Sequence, residues 1–266
     1  MYIRMRYRVM ILLLLILLML LYVYYSKRER YEDNELEINF MAFADKKYTK
    51  TLDRIGNEAK DMSIFKGIYL LNESDLIDMP EDDLKFINNN ARGYGYWLWK
   101  PYLIKKILSR TDEGSILVYA DAGCKLDKNN KGRLIEWVNM VKNHDSNMLT
   151  FQMDLKEFIW TKIDTLRELD FMKGDELNSG QVCATVIIMR NKENVRRLID
   201  EWYNIARKDN YHYLDDSPSS ENNLDGFNDH RHDQSIFSIL VKKNNIQRIE
   251  DETYGNAPIK ATRIKF

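Results

Sequence analysis

Residues 116–124 read Ile116-Leu117-Val118-Tyr119-Ala120-Asp121-Ala122-Gly123-Cys124, five apolar residues running directly into a carboxylate and then small residues. A short apolar run of this composition predicts a buried strand. An aspartate at its carboxyl end, with Ala122 and Gly123 behind it, leaves room for a ligand, because ligands of open α/β sheets gather where strand ends and loops converge. Hard cations such as Mg²⁺ and Mn²⁺ prefer carboxylate oxygens, so Asp121 is a candidate cation ligand. A plain turn aspartate is an equally good reading of that residue taken alone.

Outward from this strand the chain alternates strand-like and helix-like stretches, the pattern of a mixed, mostly parallel sheet flanked by helices. Strands are predicted at 36–44, 67–71, 148–151 and 184–189. Helices are predicted at 48–60, from Pro80 toward Asn90, at 98–110 with Pro101 tolerated in the first turn, at 131–143 and at 235–243. Val195, Leu198, Ile199, Trp202 and Ile205 recur at helical spacing and mark a longer helix packed on the sheet. The polar, turn-rich stretch 213–229 predicts a mobile surface loop. No internal repeat is present.

The N-terminus carries a different signal. Residues 9–25 contain no charge and no helix breaker, and at about 1.5 Å per residue they would span roughly 26 Å, enough for a thin bilayer. Tyr22, Tyr24 and Tyr25 crowd one end, where amphipathic rings suit the headgroup zone. No small-x-small cleavage site follows, so an uncleaved anchor is expected rather than a signal peptide. The organisation predicted is a basic tail at 1–8, an anchor at 9–25, a charged stalk at 26–35 and a catalytic domain at 36–266. The flanking basic residues tie, Arg4, Arg6 and Arg8 against Lys27, Arg28 and Arg30, and a type II-like arrangement is the expected orientation.

Composition excludes several classes. The chain has 40 Lys+Arg against 41 Asp+Glu, so no overall field draws it to nucleic acid. Its two cysteines, Cys124 and Cys183, are too few for a disulfide-built scaffold; they either pair in an oxidising compartment or stay as small buried hydrophobes. Neither a phosphate-loop motif nor a Gly-x-Ser-x-Gly elbow is present.

Four blocks together resemble nucleotide-sugar glycosyltransferases of the GT-A fold. The stretch 116–124 looks like their metal-binding strand edge. Upstream, Arg92-Gly93-Tyr94-Gly95-Tyr96-Trp97-Leu98-Trp99-Lys100-Pro101 resembles a Gly-aromatic-Trp-x-Trp-Lys-Pro block found in a group of these enzymes. Downstream, Asn178-Ser179-Gly180-Gln181 is similar to the turn that faces the donor sugar. His230-Arg231-His232-Asp233-Gln234 looks like their Asp-Gln block at the start of a late helix. The blocks fall in the family's order over roughly residues 36–245.

The resemblance implies an anchored α/β enzyme with a GT-A-like (Rossmann-like) sheet. Its donor would be a nucleotide sugar, and its acceptor a hydroxyl of a glycan, glycoprotein or glycolipid. The implied location is a Golgi or other secretory-pathway membrane. Phe43, Ala44, Asp45 and Tyr48 would receive the base. Trp99, Lys100, Asp121, Gly123, Asn178, Ser179, Gly180 and Gln181 would line the donor. Asp233, beside Gln234, would orient the acceptor hydroxyl or stabilise an oxocarbenium-like transition state, unless it merely caps a helix.

One departure matters. The family's Asp-x-Asp has become Asp121-Ala122-Gly123, so one carboxylate is missing. Either another residue completes a Mn²⁺ shell, with His232 joining Asp121 and with His230 and Asp233 as further candidates, or basic groups among Lys100, Arg92 and Lys162 neutralise the diphosphate without metal. Two rivals remain: a catalytically inactive, membrane-tethered nucleotide- or glycan-binding domain, and a metal-dependent hydrolase built on His230, His232 and Asp233.

Overall fold

The computed structural model describes residues 15–23 and 37–265. Residues 15–23 are helical with outward apolar side chains such as Leu15, Met19 and Tyr22. The expected tail and stalk, and the rest of the expected anchor, lie outside the described residues. Among the described residues no helix is long and apolar enough to cross a membrane.

From Ile38 onward the chain builds one mixed sheet with helices on both faces. Its strands are β1 (Ile38–Phe43), β2 (Gly67–Leu71), β3 (Ile116–Ala120), β5 (Met148–Lys156), β6 (Gly180–Val182), β7 (Val186–Arg190) and β8 (Gln247–Glu250). A two-residue strand, β4 (Lys125–Leu126), pairs outside the sheet with β9 (Ile259–Lys260). The helices are α1 (Thr49–Met62), α2 (Glu81–Asn89), α3 (Trp99–Leu108), α4 (Lys131–Asn143), α5 (Ile163–Glu168), α6 (Glu193–Tyr211) and α7 (His232–Lys243).

The strand order is β2-β1-β3-β7-β5-β6, with β8 also on β5. β1 pairs parallel with β2 and β3, β7 runs antiparallel to β3 and β5, β6 is antiparallel to β5, and β8 is parallel to it. Five of the seven strands therefore point the same way, and the mostly parallel expectation holds. Leu149 faces both β7 and β8, and Gln152 faces both β6 and β8. So β6 and β7 share one edge of β5, as two halves of a strand broken at residues 183–185. That break was invisible in sequence, where 184–189 reads as one apolar run.

Alternation along the strands splits the core. Met41, Phe43, Leu117, Tyr119, Ile187 and Met189 join one cluster with Leu103, Ile104 and Ile107 of α3, Val195, Leu198 and Trp202 of α6, and Phe237 and Leu240 of α7. Phe40, Val118 and Ile188, one position along, face the other side, where α1 and α4 pack. Trp137 of α4 meets Phe151 edge-on at 4.7 Å. The carboxyl ends of β1, β3 and β5 consequently share one edge of the sheet, with the β6–β7 break beside them. The stretch 213–229, expected to be mobile, is tied down at several points: Ile163 N donates to Asn223 Oδ1, Asn228 N to Ile159 O, and Ser220 to Asp164.

Candidate functional site

Lys100 lies one residue into α3, and its ammonium reaches the carboxyl edge of the sheet. The Nζ stands 2.8 Å from Asp233 Oδ2 and 3.4 Å from Asp121 Oδ1, and it donates to Ala184 O at 3.1 Å. The Lys100 and Asp233 side chains are only 3% and 6% exposed, against 32% for Asp121, so Asp121 is the member open to a ligand. Tyr119 lies two residues before Asp121, beneath the same edge, and its hydroxyl donates to Asp121 Oδ1 at 2.5 Å. The backbone N–H of Asp121 donates to Thr185 O, which docks the loop onto the β6–β7 break.

The electrostatics of this cluster are set by burial and three charges. Burial works against the Lys100 ammonium, yet Asp121 and then Asp233 outweigh it and hold its pKa well above the ordinary lysine value. Burial pushes Asp233 up to about 6; Lys100 pulls it back and Asp121 adds repulsion. Asp233 Oδ2 lies within ion-pair range of Lys100 but lacks a well-aligned hydrogen bond. Tyr119 is raised by burial and then by the Asp121 charge, so it stays a phenol and a donor. A carboxyl group titrating near neutrality, buried against a fixed cation, is suited to proton transfer or to charge stabilisation.

Beside the cluster stands an aromatic wall built on unusual backbone. Residues 93–97 all have positive φ, from 50° to 79°, forming a left-handed turn. Glycine adopts this freely, whereas Tyr94, Tyr96 and Trp97 each bear about 1–2 kcal/mol of strain. Gly95 is required twice, since a Cβ there would lie 2.6 Å from Ile87 Cα. The turn is held by Gly95 N to Asn90 O, Tyr96 N to Arg92 O, and Trp99 Nε1 to Gly93 O. It presents Tyr94 to Phe43, itself 4.1 Å from Trp99 between ring centres, and places Tyr96 and Trp97 against His232.

The remaining predicted residues divide. Phe43 and Ala44 are buried at the end of β1, with half-buried Tyr48 nearby, and Asp45 accepts from Lys47 N as a cap. Asn178 is exposed. Ser179 turns its hydroxyl to Glu176. Gly180 packs so tightly on Met153 O that a Cβ would lie 1.6 Å away. Gln181 is fully buried, its Nε2 within hydrogen-bonding reach of Glu157, Trp160 O, Thr161 and Ser235, and its Oε1 accepting from Gln234. Gln181 therefore supports the site from below instead of lining it. Below it lies Glu157, buried with Lys242 at 2.8 Å and accepting from Ser238 and Thr161.

The predicted cationic reserves are engaged elsewhere. Arg92 holds Asp216 at 2.7 Å and Asp229 at 3.1 Å, and Lys162 donates to Asp215 O and Ser217 O. His230 is neutral through burial, its Nδ1 accepting from Lys162 N and its Nε2–H donating to Tyr213 O. His232 donates from Nδ1 to Leu214 O at 2.8 Å; its buried Nε2 has no hydrogen-bond partner and stands 3.7 Å from Asp216.

Among the described residues, no three His, Cys, Asp or Glu side chains are placed to hold a metal ion. The Mn²⁺ shell expected of Asp121 and His232 does not fit this arrangement. An ammonium already stands between Asp121 and Asp233, and His232 is directed at Asp216. Cys124 and Cys183 are both free and buried, the second of the two fates the sequence left open.

Sequence reasoning missed Tyr119, Ala184 and Thr185. The spacing of Tyr119 to Asp121 was the one usable signal, since residues two apart share a strand face. The carbonyls of 184 and 185 carry no side-chain signature at all.

No family model matches the sequence, and no curated protein matches it. Among solved structures, the chain is similar to a glycosyltransferase involved in glycosylation of the major capsid of PBCV-1, at 11% identity over 83% of each chain and a TM-score of 0.42. It is similar to mouse xyloside xylosyltransferase 1 in its apo form, at 11% identity over 82% of this chain and 86% of that one, with a TM-score of 0.46. It is also similar to the galactosyltransferase LgtC in complex with donor and acceptor sugar analogues, at 12% identity over 77% and 70% of the two chains, with a TM-score of 0.40. At such TM-scores these likenesses carry no functional argument.

Proposed function

We propose that this chain is a glycosyltransferase that moves a sugar from a nucleotide-sugar donor to a hydroxyl of a glycan, glycoprotein or glycolipid. The observation that carries the reading is the Lys100–Asp121–Asp233 cluster at the carboxyl edge of the sheet, beside the aromatic wall of Phe43, Tyr94 and Trp99. It supplies the two elements that sugar transfer needs. An open carboxylate, Asp121, lies where a ribose or sugar hydroxyl can donate to it. A buried carboxylate, Asp233, lies behind it, where the anomeric carbon becomes cationic or the acceptor hydroxyl gives up its proton.

In the reaction the anomeric carbon–phosphate oxygen bond breaks, and the diphosphate leaves with the electron pair. The acceptor oxygen bonds to that carbon and its proton passes to a base. The charge-free run at residues 9–25 supports a type II-like anchor in a secretory-pathway membrane, where tethering would raise enzyme concentration near membrane-bound acceptors.

A panel of UDP- and GDP-sugars incubated with the detergent-solubilised full chain, read as released nucleotide, tests this reading. Release from one donor well above the buffer rate is expected. Nucleotide binding without release from any donor would favour the inactive binding domain, and absence of both in folded protein would overturn the donor site.

A further inference from the structure

We propose that the donor's diphosphate is gripped by the guanidinium groups of Arg231 and Arg263, with no divalent cation bridging it to Asp121; this rests on the donor-site reading above. The Lys100 ammonium stands 3.4 Å from Asp121 and 2.8 Å from Asp233 and already supplies a cation to both carboxylates. Two carboxylates around one ammonium leave the cluster with a net charge of −1 when all three are ionised. A diphosphate brought to it adds further negative charge, so cations must come from nearby.

Most neighbouring cations are already engaged. Arg54 forks onto Glu58 at 2.8 Å and donates its other nitrogen to Ala122 O and Cys124 O, which shapes the turn after β3. Arg92 and Lys162 pin the 213–229 loop. Two arginines differ: among the described residues, neither Arg231 nor Arg263 makes an ion pair or a side-chain hydrogen bond.

Both are held at the site by backbone. Arg231 directly precedes α7 and lies two residues before Asp233, with its guanidinium 4.3 Å from the Trp160 ring centre. Arg263 comes from the other direction. The β4–β9 pairing carries the C-terminal segment across the turn after β3, where Ile264 N and Thr262 Oγ1 both donate to Gly123 O, at 2.9 and 3.1 Å. The Arg263 Cα lies 3.2 Å from where a Gly123 Cβ would be, so glycine is what lets this segment cross so close. Arg263 itself adopts φ of +52°, a conformation held by those contacts.

Burial, and next the charge of Arg263, lower the pKa of Arg231. Asp229 opposes this, and Arg92 pairs with Asp229 at 3.1 Å. Two guanidiniums, neither of them in an ion pair among the described residues, beside the turn at Gly123 and the start of α7 make an anion site. Paired guanidinium forks match phosphate oxygens better than an ammonium does.

Titration calorimetry of the full chain with inorganic pyrophosphate and with UDP and GDP, in EDTA and again with Mn²⁺, tests the proposal. Wild type should bind pyrophosphate in EDTA. Arg231→Gln and Arg263→Gln should each weaken it at least tenfold, and the double variant about a hundredfold, with no rescue by Mn²⁺. Arg263 is exposed, so its variant keeps the fold if Arg231→Gln does not. Arg197→Gln, in the cavity lined by His144 and Asn194, should bind as wild type does. Unchanged affinity in Arg263→Gln, or wild-type binding that requires Mn²⁺, overturns the arginine grip while leaving a nucleotide site standing. Failure of wild type to bind pyrophosphate, UDP or GDP overturns the donor reading itself.

Discussion

Lys100→Met is expected to lower folding stability by about 3–5 kcal/mol, the range for breaking a buried ion pair by removing one partner. Methionine preserves most of the stem volume, so lost packing contributes little. What is lost is the charge between Asp233 and Asp121, together with the bond to Ala184 O. Two carboxylates would then face each other across an apolar gap, and Asp233, already raised to about 6, would rise further.

A carboxyl group whose folded pKa exceeds its unfolded value gives stability that is present at low pH and lost as pH rises through the folded value. The penalty of Lys100→Met should therefore be smaller near pH 5 than near pH 8 in urea denaturation. Adding Asp233→Asn should recover much of the loss at pH 8. A loss below about 1 kcal/mol at both pH values would mean that the three groups do not form a buried cluster.

Asp233→Asn alone should lower donor turnover by about 10²–10⁴, the usual contribution of a positioned acid or base. If the carboxylate acts in its ionised form, the wild-type rate should climb with pH through a midpoint near 6, the value set by burial and tempered by Lys100. The residual rate of the variant should show no such step. A rate within threefold of wild type, with the same pH profile, would remove Asp233 from the chemistry and leave it as a structural partner of Lys100.

The sequence showed the strand and its terminal Asp121 because burial and strand ends write themselves into residue type. It also pointed to Lys100 and Asp233, though not to their contact, since 133 positions separate them and the tertiary fold brings them together. Gln181 illustrates the opposite failure. A polar residue after an Asn-Ser-Gly turn reads as a sugar ligand, yet Gln181 is fully buried within β6 and bonded to Glu157 and Gln234. The left-handed turn at 93–97 was not read from the sequence: two glycines lie in it, but three aromatic residues at positive φ are not foreseeable from propensity. The metal expectation rested on Asp121 and His232, and no sequence pattern announces that a lysine ammonium stands 3.4 Å from Asp121.

The edge formed by Phe43, Asp121 and the β6–β7 break is where a nucleotide should bind. A crystal structure of the protein with bound UDP, or with whichever nucleotide the donor panel releases, decides this. The base is expected against Phe43 and Tyr48 at the end of β1, with the diphosphate over the turn at Gly123. A nucleotide bound instead in the cavity of about 480 Å³ lined by His144, Asn194, Arg197 and Asn244, with the Asp121 edge left to solvent, would contradict it.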